Sequence, residues 1–170
     1  RRSGSLHRDH PVTCRSPVAQ TGCMTDSDPH LLGPGLLPTP FTAAEIRDAT
    51  GTGTVIRLLL EGPDGPMAEH VNRFHDTDDE GATLDRWAAE DPKAIVSNRV
   101  TWAELQGHAA FDAGTTSVST VSLSTPLGAL TCRRYDTDDG IFWFSIDHPG
   151  MPVQYESDGL RTTVLSIERD

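Results

Sequence analysis

Two stretches of the chain carry apolar residues at helical spacing, and nearly all the rest reads as short strand-like runs broken by turns. In "PFTAAEIRDAT", Thr42 stands where an N-cap belongs, and Glu45 stands three positions later as its capping-box partner. Phe41 and Ile46 occupy the two positions of a hydrophobic staple, so a helix is expected from Thr42 to about Ala49. "VTWAELQGHAAF" repeats the device with Thr101, Glu104, Val100 and Leu105. Trp102, Leu105 and Ala109 then recur on one face, predicting a second helix from Thr101 to about Ala110. Strand-like runs start at Thr54, Met67, Ala82, Ala94, Ser117, Ala129, Ile141, Pro152 and Leu160, with Gly, Pro and Asp between them. Connections this short force neighbouring strands to pair antiparallel, because a parallel pair needs a crossover of a dozen residues or more. The expected fold is α+β: a strongly curved antiparallel meander of about nine strands wrapped on two short helices. "IFWFSI", apolar on both faces, belongs inside such a sheet rather than at its edge.

Two acidic turns mark the same place in each half. "HDTDDEG" follows the second run and "YDTDDG" the sixth. Thr42 and Thr101, and likewise Asp76 and Asp136, stand about 60 positions apart. Two readings fit: a duplicated unit of one helix and four strands with a final strand added, or a coincidence of two helix starts and two Asp-rich turns. Neither turn completes a calcium loop. Counting from Asp76, the position for the bidentate Glu falls on Trp87, and in the second copy Gly140 and Ile141 fall out of step. No metal is expected there, since Asp and Gly suit turns for backbone reasons alone.

Composition narrows the class. A net charge of −11 argues against non-specific binding to nucleic acid. The first 23 residues differ from the rest, with Arg1, Arg2, Arg8 and Arg15 against Asp9 alone. They read as a non-native or disordered extension, the native protein starting at Met24, and the segment 1–36 as disordered before a single domain over 37–170. "AQTGC" at Cys23 lacks the apolar stretch of a lipoprotein signal. "LLGPGLLPTPF" is too short and too broken to cross a bilayer. Cys14, Cys23 and Cys132 are an odd set, which favours a reducing, cytoplasmic setting over a disulfide framework. Cys132, in a strand-like run, reads as a small buried hydrophobe.

Motifs for cofactors are missing. "GTGTVI" lacks the third glycine of a dinucleotide fingerprint and leads from helix into strand, the reverse of what phosphate binding needs. No cofactor is expected. His108 reads as a core residue on the inner helix face, whereas His70 and His75 fall on opposite faces of one strand. Arginine supplies the one distributed pattern. Arg57, Arg73, Arg86 and Arg99 place a guanidinium in each strand of the first meander, followed by Arg133, Arg134 and Arg161. On one face they would hold an anion bidentately, and Arg57, Arg73 and Arg86, with His70, are the candidate ligand residues. The alternative is a solvated face laced with ion pairs. Trp87, Trp102, Trp143, Phe142 and Phe144 are expected between sheet and helices.

From "PTPFTAAEIRDAT" through "TPLGALTC" to "GMPVQYES", the chain resembles a family of uncharacterised actinobacterial proteins, a likeness that carries no activity. In shape alone it is similar to the half-barrels that carry lipids or lipoproteins. The leading expectation is non-enzymatic binding of a small apolar or anionic ligand, with no nucleic acid and no membrane as partner. The second is an interaction module whose sheet face or edge meets another protein. The third is an enzyme, which would need His70 or His108 beside a buried carboxylate in a cleft.

Overall fold

The computed structural model describes residues 28–169. The chain runs α1 (Ala43–Ala49), β1 (Thr54–Gly62), β2 (Gly65–His75), β3 (Gly81–Ala88), β4 (Val96–Thr101), α2 (Trp102–Gly107), β5 (Ser117–Thr125), β6 (Gly128–Thr137), β7 (Gly140–Ser145), β8 (Gln154–Ser157) and β9 (Leu160–Arg169). All nine strands join one open, curved antiparallel sheet in the order β4-β3-β2-β1-β9-β8-β7-β6-β5. Each half is a meander, and the two meet where β9 pairs with β1. Two register shifts interrupt β1 there, one against β9 between Arg57 and Leu58 and one against β2 between Leu60 and Glu61. An extra residue on one strand bends and twists its pair, so these bulges curve the sheet at its middle.

Both helices start as the capping pattern dictates. Thr42 and Thr101 accept from the backbone of Glu45 and Glu104, whose carboxylates accept in return from the N-cap amides at 2.8 and 2.7 Å. The bond from the Thr42 amide holds the Glu45 carboxyl below its ordinary range. α2 stops at Gly107, earlier than expected, and its buried positions are Trp102 and Gln106, with Ala109 just beyond. His108 is therefore exposed rather than in the core, because the inner stripe passes through 102, 106 and 109 instead of beside 108. Gln106 is buried but satisfied: its Nε2 donates to Pro29 O and Thr39 Oγ1 at 2.9 Å each, and its Oε1 accepts from Ala43 N–H at 2.9 Å. The bond to Pro29 O joins the segment before Leu37 to α2, and a bridge between Leu36 and Asp112 joins it to the stretch ahead of β5. The expected start at Met24, and Cys14 and Cys23, lie outside the described residues.

The helices cover one face of the sheet. Phe41, Ile46 and Trp102 pack there against Ile56, Leu58, Phe74, Leu84, Tyr135, Phe144 and Val164. Phe142 joins the same layer, in which Phe111 lies 5.1 Å from the Tyr135 ring and 5.2 Å from that of Phe142. Trp87 and Trp143 do not belong to it. Strand alternation turns both to the opposite face, where Arg73 lies 5.6 Å over Trp87 and Arg134 lies 5.4 Å over Trp143. A second apolar cluster, Leu130, Cys132, Trp143 and Val153, lies on that face. Cys132 is fully buried within it, and burial raises its thiol pKa, as suits a packing residue rather than a nucleophile.

The acidic turns are built for the backbone. Asp78 accepts from the amides of Glu80 and Gly81 at 2.9 Å and pairs with Arg99, while its carbonyl takes the Trp102 indole N–H at 2.8 Å. Each turn ends in a glycine that opens a strand against the next one. A Cβ on Gly81 would lie 2.1 Å from Val100 O, and one on Gly140 would lie 2.1 Å from Glu156 O. The two glycines thus do the same job in each half, at the start of β3 and of β7.

Candidate functional site

Helix α1, α2 and the helix-covered face of the sheet leave a cavity of about 510 Å³ between them. Ile46 and Ala49 of α1 and Leu105 of α2 form one wall, with Ile56, Phe74, Phe142, Phe144 and Val164 of the sheet opposite. The segment 146–153, which joins β7 to β8, supplies Met151 and two prolines to the rim. Charged and titratable groups, Asp48, His108, Asp147, His148 and Arg169, stand among the lining residues, and all but the half-buried His148 are exposed. Arg169 donates to Ala49 O at 2.5 Å, fastening the end of β9 to the end of α1. Inside, the lining is aliphatic and aromatic, interrupted by the buried hydroxyl-bearing Thr50 and Thr54.

The four residues singled out by sequence lie elsewhere. Arg57 and Arg73 share the face away from the helices, through the pairings Arg57↔Val71 and Val55↔Arg73. His70 and Arg86 lie on the other face, opposite Leu58 and Asn72, and both are exposed. The register thus divides the four between two faces, and none of them lines the cavity. Arg57 pairs with Glu69 at 3.1 Å and Arg73 with Asp85 at 2.6 Å.

Asp85 is the buried carboxylate of the structure's open face. Ser97 Oγ donates to it at 2.5 Å, Arg73 reaches its second oxygen, and His75 Nε2 lies 3.2 Å from the first. The Ser97 bond first, then that of Arg73, lowers its pKa to about 2. Serine, histidine and aspartate meet here in the wrong order for a nucleophile. The carboxylate sits between the other two, so the imidazole does not touch the hydroxyl it would have to activate. Neither His70 nor His108 approaches this carboxylate through the contacts that hold it. Among the described residues no three His, Cys, Asp or Glu side chains are grouped to hold a metal ion. No helix among them is long and apolar enough to cross a membrane. An open, polar trough of about 910 Å³ also runs across the tips of three hairpins, lined by Glu61, Asp138, Asp139, Glu156 and Asp158 with Arg161.

No protein-family model and no curated protein matches the chain. Among solved structures it is similar to MucB, with a TM-score of 0.50 and 10% identity over 74% of this chain. The match spans 56% of the MucB chain, a little over half its length. At that identity the likeness concerns the fold alone.

Proposed function

We propose that the protein binds a small, mainly apolar molecule between its helices and its sheet, without catalysis. The observation that carries this reading is the cavity itself. Protein interiors pack to crystal density, and an apolar space left open forfeits the dispersion contacts its walls would otherwise make. At about 510 Å³ it falls within the range of ligand pockets, and its lining of aromatic and aliphatic side chains with few polar groups is the lining such pockets have. An apolar ligand fits better than an anionic one, since Arg57 and Arg73 already hold carboxylates of the chain itself. A ligand at 100 times its dissociation constant should stabilise the fold by about 2.7 kcal/mol, a rise of roughly 5–11 °C in Tm for a chain of this size. Ala49→Trp, which fills the cavity from the α1 side, should abolish that rise while the variant stays folded. Equal shifts in both proteins, or none with any apolar compound, would refute the reading.

A second reading, an interface with another chain, is favoured by a separate observation. The run from Ala113 to Cys132 holds no charged side chain in a protein of net charge −11. It forms β5, the outermost strand at one end of the sheet, with Ser117 to Thr120 exposed. Outer strands are ordinarily guarded by charges, proline or a bulge, and β5 pairs with β6 without a register shift. Such an edge offers its backbone to the same strand of a second copy, antiparallel about a two-fold axis. Sedimentation velocity should then show a concentration-dependent dimer, weakened at least tenfold by Ser119→Lys. A monomer at every concentration would dispose of this second reading.

A further inference from the structure

The walls of the cavity are held unequally. At α1, the Thr50 amide closes the last turn on Ile46 O at 2.9 Å, and Arg169 ties Ala49 O to the end of β9. α2 is pinned by the three bonds of Gln106, and the sheet by its ladders. The remaining wall is the connection from β7 to β8. Four hairpins of the sheet turn in two residues, whereas this one takes residues 146–153, and every residue from Asp147 to Val153 lines the cavity. It is fastened at its ends, where Ile146 N–H donates to Thr131 O at 3.0 Å and Val153 N–H to Trp143 O at 2.8 Å. Between them, among the described residues, positions 149–152 make no backbone hydrogen bond. Two of these four are proline and have no N–H to give. Length is not the cause, since the amides of the connection 89–95 make three such bonds.

Resting on the cavity reading above, we propose that this strap is the lid of the cavity: it swings outward to let the ligand pass, and the Met151 side chain latches it shut. Pro149 and Pro152 hold φ at about −65°, which leaves the bending to the residues between and beside them. Gly150, between the two, has φ 140°, in the region that favours glycine. A Cβ there would meet no atom within 4 Å beyond its chain neighbours, so the backbone turns at this point without a clash. Met151 is half-buried and packs against the main apolar core, and that packing is what keeps the strap down. Opening it costs this one apolar contact and no backbone hydrogen bond of residues 149–152, whereas moving α1, α2 or the sheet would break several. Such a balance marks segments that open locally and loops that gate binding sites.

The test is the kinetics of binding of the neutral fluorophore N-phenyl-1-naphthylamine, followed by stopped-flow fluorescence on the whole chain and its variants. Entry that waits on the strap proceeds in proportion to the open fraction, so Met151→Ala should raise the association rate constant by about five- to tenfold. Leu105→Ala is the control, because Leu105 lines the cavity from α2. It should quicken dissociation and leave association as in the wild type. Pro149→Ala keeps the Met151 side chain but returns to the strap the freedom that proline removes, and it should speed association by about twofold or more. An association rate unchanged in both strap variants, or raised as much by Leu105→Ala, makes the strap a fixed wall and overturns the inference while leaving the cavity reading in place. Failure of the wild type to bind the fluorophore overturns both.

Discussion

Replacing Trp102 by alanine should cost about 3–5 kcal/mol in urea unfolding, the upper range for emptying a core aromatic site. The indole is 2% exposed and lies where α2, the first acidic turn and the sheet meet. Its loss opens a cavity and also strands the Asp78 carbonyl that its N–H caps at 2.8 Å. The backbone N–H of the same residue bonds Glu80 O at 3.0 Å, so the start of α2 is anchored on that turn from both sides. Domains of this kind have only about 5–15 kcal/mol in hand, so this one change removes a large share of it. Trp87→Ala is the control. Half-buried under Arg73 on the opposite face, it should lose far less, and comparable losses would mean that the helix-covered layer is not the main core.

The second large effect is expected at Asp85. Asp85→Asn should lower stability by about 2–3 kcal/mol, because Ser97 and Arg73 both donate to this carboxylate and an amide cannot accept both on the same terms. Arg73 is 43% exposed, which keeps the figure below that of a fully buried ion pair. The sign of the pH dependence follows from the direction of the shift. The folded-state pKa, about 2, lies below the ordinary 3.8, so the contribution is complete above pH 4 and disappears as the pH falls through about 2. Unfolding midpoints measured between pH 6 and pH 2 should therefore drop more steeply for the wild type than for Asp85→Asn. Parallel curves would show that Asp85 titrates alike in both states.

What could be read from the sequence was local. Thr42 with Glu45, and Thr101 with Glu104, announce their helices because an N-cap and its reciprocal partner lie within one turn. The strands and their antiparallel pairing follow from alternation and connection length, and β7 does lie inside the sheet as "IFWFSI" implied. What failed depended on which face of a sheet is covered. Trp87 and Trp143 look like core residues by type, yet a strand sends every second side chain to the far face, and there the tryptophans lie under arginines. The four candidate ligand residues were divided between faces by the same alternation. The cavity has no signature in the chain at all, since it is the space that two helices fail to fill. Gln106, buried and threefold bonded, could have been suspected only from its place in the apolar stripe of α2.

The seam between β1 and β9 also sets an order of assembly. Every other ladder joins strands that follow one another along the chain, and these can zip up as soon as their hairpins exist. β1 must wait. While the polypeptide leaves the ribosome, one side of β1 stays bare until the segment from Leu160 to Arg169 has emerged, and Ile56 and Leu58 lack their neighbours Ile167 and Val164 for all that time. The sheet is thus finished by the strand made last, and two half-sheets, each with a sticky inner margin, precede the whole.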